Sequence, residues 1–260
     1  MRSAGLVVAD ALRAVVAAVA PGVTTGELDA VAAERIGAAG ALPSFLGYGG
    51  FPASTCVSVD AEVIHGIPRG DRVLREGSLV SIDCGAVLSG WHADAAVTVP
   101  VGEVAPPLLE LCRVTEEALW AGLRAVVAGA RLDAVGVAVE GVVREHGYGL
   151  LADYTGHGIG TEMHQPPDVH NSGGQRGGRL TLVAGHVLAV EPMVTLGDPE
   201  VVELADGWTV VTVDGAVGAH WEHTVAVTPT GPWVLTAADG GAARLGAGLS
   251  ADARTDAART

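Results

Sequence analysis

Apolar positions recur at helical spacing over residues 3–20, through Leu6, Ala9, Leu12 and Val16, until Pro21-Gly22 stops the pattern. Thr24-Thr25-Gly26-Glu27 then has the spacing of a capping box and opens a second helix that ends near Gly40. From Thr55 the period shortens, with β-rich runs at 56–59, 79–82 and 92–99, each bounded by Gly, Pro or Asp. Helical spacing returns over 106–127 and 132–146, the second closed by Gly147. Further strands are predicted at 186–191, 208–213, 221–227 and 232–236. Residues 237–260 carry no aromatic residue and no period, so a disordered tail is expected beyond a single domain over 1–236.

The order helix, helix, strands occurs twice, which places the chain in the α/β (α+β) class. Leu28-Asp29-Ala30-Val31 also recurs as Leu132-Asp133-Ala134-Val135, each after a glycine-containing turn and each opening a helix. Together these suggest a duplicated unit.

Composition refines the picture. A chain of 260 residues can bury a substantial core, and with 49% hydrophobic but only 4% aromatic residues that core must be built from Ala, Val and Leu. Against this background the loop at 41–54 gathers Phe45, Tyr48 and Phe51, either as a pocket lining or as a plug at the end of the core. Thirty acidic against 15 basic residues give a net charge of -15, a field that repels polyphosphates and argues against direct nucleic-acid binding. The apolar run at 14–20 is far too short for a membrane span, and Asp10 and Arg13 before it argue against a secretory signal, so a soluble cytoplasmic protein is expected. Cys56, Cys84 and Cys112 have neither zinc-knuckle spacing nor an even count, and are expected to be reduced thiols.

Candidate chemistry centres on Tyr154-Thr155-Gly156-His157-Gly158-Ile159-Gly160, with His164 seven positions after His157. The glycines are expected to let the backbone turn tightly and a ligand or metal approach closely. Four acids, Asp83, Asp94, Glu191 and Glu222, lie in or at the ends of β-rich apolar runs. Ionising a carboxyl there is costly unless it is paired or bound to a cation. Four carboxylates and an imidazole can satisfy two divalent ions roughly 3–4 Å apart that share a water made nucleophilic at neutral pH, which points to hydrolysis.

The ordered set His65-Gly66-Ile67-Pro68, Ile82-Asp83, His92-Ala93-Asp94, Gly156-His157-Gly158-Ile159-Gly160, His164, Val190-Glu191-Pro192-Met193 and Glu222-His223-Thr224 resembles the type I methionine aminopeptidases, over residues 2–236. The resemblance implies the duplicated pita-bread fold with pseudo-twofold halves around a dinuclear centre. It implies two divalent metal ions (Co, Mn, Fe or Zn) held by Asp83, Asp94, His157, Glu191 and Glu222, with Asp94 and Glu222 bridging. It also implies catalytic roles for His164 at the scissile carbonyl, His65 on the peptide-nitrogen side and Glu191 as acceptor of the water proton.

Phe45, Tyr48, Phe51, Cys56, Met163 and Trp208 align with the positions that hold the methionine side chain, beside His65 and His164. Phe51 stands where a tyrosine is frequent, Met163 where an aromatic or another Met occurs, Gln165-Pro166-Pro167-Asp168 where the family is more acidic, and Asp60 where Asn is usual. His92, His146, His170, His186, His220 and His223 are read as structural.

The activity implied is release of the amino-terminal methionine from nascent proteins and peptides with a small second residue, by a monomer whose partners are peptide N-termini. Two alternatives remain. One is a proline-directed aminopeptidase or prolidase on the same fold, normally accompanied by a large extra amino-terminal domain. The other is a non-catalytic pita-bread binding module, in which loss of metal ligands is expected, whereas all five are present here.

Overall fold

The computed structural model describes residues 1–175 and 177–246. The first half contains helices α1 (Arg2–Ala18) and α2 (Thr25–Ala38), then strands β1 (Leu42–Pro43), β2 (Thr55–Val59), β3 (Glu62–Ile64), β4 (Leu79–Leu88) and β5 (Trp91–Pro100). The second contains α3 (Pro106–Ala125), α4 (Asp133–Glu145), β6 (Gly149–Leu150), β7 (Gly156–Gly158), β8 (Gln165–Val169), β9 (Val187–Val190), β10 (Met193–Thr195), β11 (Val201–Glu203), β12 (Val210–Thr212), β13 (Gly218–His220), β14 (His223–Thr228) and β15 (Gly231–Val234), with a short α5 (Ala242–Leu245) last. The four predicted helices form within a few residues of their expected ends. The capping box is present, with Glu27 N–H donating to Thr24 Oγ1 at 3.2 Å and Thr24 N–H donating to the Glu27 carboxylate at 2.8 Å.

Strands depart further from expectation. The run predicted at 79–82 continues to Leu88, and Ser89-Gly90, both left-handed (φ 53° and 79°), turns it into β5 as a two-residue hairpin. The strand predicted at 221–227 begins only at His223, as β14; the short β13, which was not predicted, precedes it, and Glu222 lies between the two. The stretch around His157, expected to turn tightly, is instead strand β7, paired with β8 and β9. Glycine is needed there for close approach. A Cβ on Gly156 would lie 2.3 Å from Ala189 O, and one on Gly158 2.4 Å from Pro166 O.

Each helix pair covers its own strands. Val8, Leu12 and Val15 of α1 and Leu28 and Ile36 of α2 pack on Val57, Val80 and Ile82, while Leu111, Leu119 and Leu123 of α3 and Val139 of α4 pack on Leu188, Val190 and Val225. The segments leading into α2 and α4 are tied alike: Gly22 N–H to Leu74 O and Leu74 N–H to Val23 O in one half, Gly129 N–H to Leu182 O and Leu182 N–H to Ala130 O in the other. The equivalence thus runs from residue 22 to 129, a shift of 107. The Leu-Asp-Ala-Val match has a shift of 104 and is therefore three residues out of register. The duplication is in the architecture, not in that tetrapeptide.

The halves meet where β3 pairs with β12 and along a seam between β5 and the β13–β14 segment. Ala96 and Glu222 exchange backbone hydrogen bonds (3.3 and 2.9 Å). On one side Thr98 Oγ1 donates to His220 O and accepts from His220 N–H, both at 2.8 Å. On the other Thr224 Oγ1 donates to Asp94 O (2.8 Å) and accepts from Asp94 N–H (2.9 Å). The local pseudo-twofold therefore exchanges Thr98 with Thr224 and Asp94 with His220.

Residues 237–246 do not form the disordered tail expected from residue 237. Residues 237–246 form turns and α5, with Leu245 buried in the second core, and Arg2 donates to Leu235 O, Ala237 O and Ala238 O at 2.6, 2.7 and 2.8 Å. The remaining tail, 247–260, lies outside the described residues. Among the described residues no helix is long and apolar enough to cross a membrane.

Candidate active site

The β4–β5 hairpin supplies the first two acids. Asp83 pairs with Ala96 and Gly85 with Asp94, so with a side-chain period of two both carboxylates emerge on one face as diagonal neighbours. Gly85, opposite Asp94, leaves room for Phe45, whose ring would be 2.8 Å from a Cβ there. His157 comes from β7, beside Ala189 of β9; Glu191 follows β9 and Glu222 precedes β14. Asn171 Nδ2 donates to Glu191 O (3.0 Å) and fixes that strand end.

All five residues line one cavity of about 730 Å³, mouth included, together with His65, His164 and the six proposed pocket residues. Ligand atoms of Asp94, His157 and Glu222 all lie within 4.8 Å of one another, and these three side chains are buried. Glu191 Oε1 is 3.6 Å from His157 Nε2. Asp83 Oδ1, Asp94 Oδ1 and Glu222 Oε1 are buried without any hydrogen-bond partner. Burial first, then neighbouring carboxylates, pushes Asp83, Glu191 and Glu222 well above the usual carboxylate range, and burial raises Asp94 to about 7. Orphaned acceptors, packed acids and a histidine form a donor set that fits divalent cations.

The histidine's protonation state suits the same donor set. His157 Nδ1 lies 2.9 Å from Gly158 O, an acceptor only, so Nδ1 carries the proton and Nε2 presents its lone pair towards Glu191. Burial, followed by the nearby His164, lowers its pKa to about 4, keeping the ring neutral.

His65 and His164 stand at the wider part of the cavity. His65 has a left-handed backbone (φ 58°) and its ring meets that of Tyr154 edge-on at 6.1 Å. Burial, with His164 nearby, lowers its pKa to about 4. His164 packs edge-on to His157 with ring centroids 4.2 Å apart. Phe45, Phe51, Cys56 and Met163 form a separate buried cluster with Ile67 and Trp208 against it, and Phe51 meets Trp208 edge-to-face at 5.1 Å. The loop aromatics thus line a pocket. Asp206 accepts from Trp208 N–H and from Thr209 N–H and Oγ1, anchoring the turn that presents Trp208. Asp60 suits its position: with φ 59° it accepts from Ser78 Oγ and Leu79 N–H, both donors.

Sequence reasoning missed several lining groups, among them Ile64, Thr155 and Met193, which carry no chemical signal. It also read His220 as purely structural. Its buried Nε2 has no hydrogen-bond partner and lies 3.6 Å from Glu191 Oε2. Its equivalence to Asp94 would have flagged it, but that equivalence is visible only in the seam. Others of the six keep structural partners: His92 Nδ1 with Ser44 Oγ (2.8 Å), His146 Nδ1 with Val142 O (3.0 Å) and His223 Nδ1 with Thr236 Oγ1 (2.8 Å).

Residues 1–229 match the model of metallopeptidase family M24. The chain is 52% identical over 242 residues to methionine aminopeptidase 1 of Mycobacterium tuberculosis, covering 91% of each, and 46% identical over 237 residues to methionine aminopeptidase 1 of Bacillus subtilis, covering 91% of this chain and 94% of the relative. The solved methionine aminopeptidase of Thermotoga maritima superposes with a TM-score of 0.88 at 43% identity, over 91% of this chain and 94% of that one. An X-Pro aminopeptidase from Thermotoga maritima shares the fold (TM-score 0.71, 24% identity), but this chain spans only 59% of it.

Proposed function

The chain belongs to metallopeptidase family M24, and on that premise we propose that it releases the amino-terminal methionine from peptides and nascent chains with a small second residue. The observation that carries the reading is the buried Asp94, His157 and Glu222 cluster, flanked by Asp83 and Glu191 and opening onto the Phe45, Phe51, Cys56, Met163 and Trp208 pocket. Asp83, Asp94, His157, Glu191 and Glu222 would hold two divalent ions. When bound, divalent ions supply a water that is nucleophilic at neutral pH and polarise the scissile carbonyl.

The chain's own groups do the rest. Glu191 accepts the proton of the attacking water, His164 donates to the carbonyl oxygen as negative charge develops there, and His65 assists proton delivery to the departing amine. The aromatic, sulfur-lined pocket suits an unbranched thioether, whose burial fixes the peptide in register with the cluster. Three unpaired thiols and the acidic composition support action in the cytoplasm, and we take the working unit to be a monomer.

The test is metal-reconstituted protein assayed on Met-Ala-Ser and on a panel of Xaa-Pro peptides. Methionine release from Met-Ala-Ser is expected. Failure on that peptide with cleavage of the Xaa-Pro panel would replace this reading with the proline-directed one. His164→Ala should lower turnover while leaving metal content unchanged.

A further inference from the structure

Tyr48 does something that a side-chain pocket does not require. It opens a 3-10 turn (Tyr48–Gly50), is 44% exposed at the pocket rim, and places its hydroxyl 2.8 Å from His164 Nδ1 with ring centroids 5.1 Å apart. Phe51, three residues later, lines the same pocket with no hydroxyl at all.

A neutral imidazole has one donor and one acceptor nitrogen, so whatever engages Nδ1 decides what Nε2 can do. A phenol is a better donor than acceptor, and its hydrogen bond to Nδ1 leaves the proton on Nε2. The adjacent His157 offers His164 no competing partner, because its Nδ1 donates to Gly158 O and its Nε2 faces Glu191. The segment leading to His164 is tied separately: His92 N–H donates to Gly160 O at 2.8 Å, joining the β4–β5 hairpin to the loop that carries His164.

We infer that Tyr48 is a positioning residue that holds His164 in the Nε2–H tautomer, so that Nε2 is the donor offered to the scissile carbonyl. This rests on the role proposed above for His164. It also joins recognition to catalysis, since the ring forming the rim of the methionine pocket orients the histidine that acts on the bond.

The test uses full-length protein labelled with ¹⁵N-histidine and loaded with diamagnetic Zn²⁺. The His164 resonances, assigned by their loss in His164→Gln, should show a protonated Nε2 and an unprotonated Nδ1. Tyr48→Phe keeps the ring but should mix the tautomers and lower kcat on Met-Ala-Ser by about tenfold, the effect of one ordinary hydrogen bond, with KM changed less than about twofold. A protonated Nδ1 in the unaltered protein overturns the inference, as does a Tyr48→Phe variant with unchanged tautomer and kcat beside a slow His164→Ala. If His164→Ala itself turns over normally, the role of His164 falls and this inference falls with it.

Discussion

The seam offers a paired experiment. Thr224 and Thr98 are symmetry partners, both buried, and each hydroxyl satisfies the N–H and C=O of one residue across the seam. Valine replaces either with nearly the same shape but no hydroxyl, stranding one buried donor and one buried acceptor across the seam and, at Thr98, the buried Ser81 hydroxyl 2.8 Å away as well. Each stranded group costs about 1–3 kcal/mol, so Thr224→Val should lose about 2–6 kcal/mol of stability, or roughly 4–24 °C in Tm for a chain of this size, and Thr98→Val at least as much. The functional consequences should differ. Thr224 braces Asp94, which belongs to the carboxylate cluster, whereas Thr98 braces His220, which only approaches Glu191. Thr224→Val should therefore weaken divalent-metal binding by about tenfold or more in calorimetric titration, while Thr98→Val, measured below its own Tm, should bind metal within about threefold of the unaltered protein. Two variants within about 0.5 kcal/mol of the unaltered protein in denaturant unfolding would refute the energetic argument, and equal loss of metal from both would refute the division of roles.

Chelated protein should lose stability as pH rises above about 6.5. The buried carboxyls have folded pKa values raised above their unfolded ones, so their stabilising contribution is present at low pH and is lost as pH rises through the folded values, about 7 for Asp94 and also raised for Asp83, Glu191 and Glu222. The expected slope is about 1.4 kcal/mol per pH unit for each carboxyl still protonated, read by urea unfolding at pH 6.5 and 8.5, and saturating metal should abolish it. Below pH 6.5 the lowered pKa values of His65, His157, His220 and His223 act oppositely, because holding those buried rings neutral becomes costly as pH falls, so the two sets offset one another and apo stability should change little between about pH 4.5 and 6.5 before it declines. Trp208→Ala removes the edge-to-face partner of Phe51 and should raise KM for Met-Ala-Ser by about 10- to 100-fold with metal content unchanged. Arg2→Ala strands the carbonyls of Leu235, Ala237 and Ala238 and should cost about 2–3 kcal/mol, with hydrogen exchange rising first over residues 237–246.

Much of this was legible in the sequence for identifiable reasons. Helical periodicity and the Thr24/Glu27 box gave the helices because those signals are local. Acids in apolar strands gave the cluster because desolvation makes them conspicuous wherever the chain carries them. What stayed hidden depends on partners distant in sequence. Gly156 and Gly158 look like turn residues, and only the carbonyls of Ala189 and Pro166 show that they are strand positions with no space for a Cβ. Glu222 sits in an apolar run that reads as strand, but its backbone bonds to Ala96 across the seam and β14 starts only after it, at His223. The register of the duplication was masked by a four-residue match three positions astray, and the equivalence of His220 with Asp94 depends on backbone bonds across the seam. Leu245 is one apolar residue in polar text, and its burial depends on α3, more than a hundred residues earlier.

The central claim is that the carboxylate and histidine cluster holds the metal and that peptidase activity depends on it. The most direct measurement is metal content and methionine release from Met-Ala-Ser on the same samples of the unaltered protein and of Asp94→Ala, as divalent metal is titrated into chelated stocks. The account predicts that activity in the unaltered protein rises with bound metal to a plateau near two ions per chain, and that Asp94→Ala neither retains the metal nor releases methionine. Methionine release that persists in chelated protein, or an Asp94→Ala variant that binds metal and cleaves normally, would contradict it.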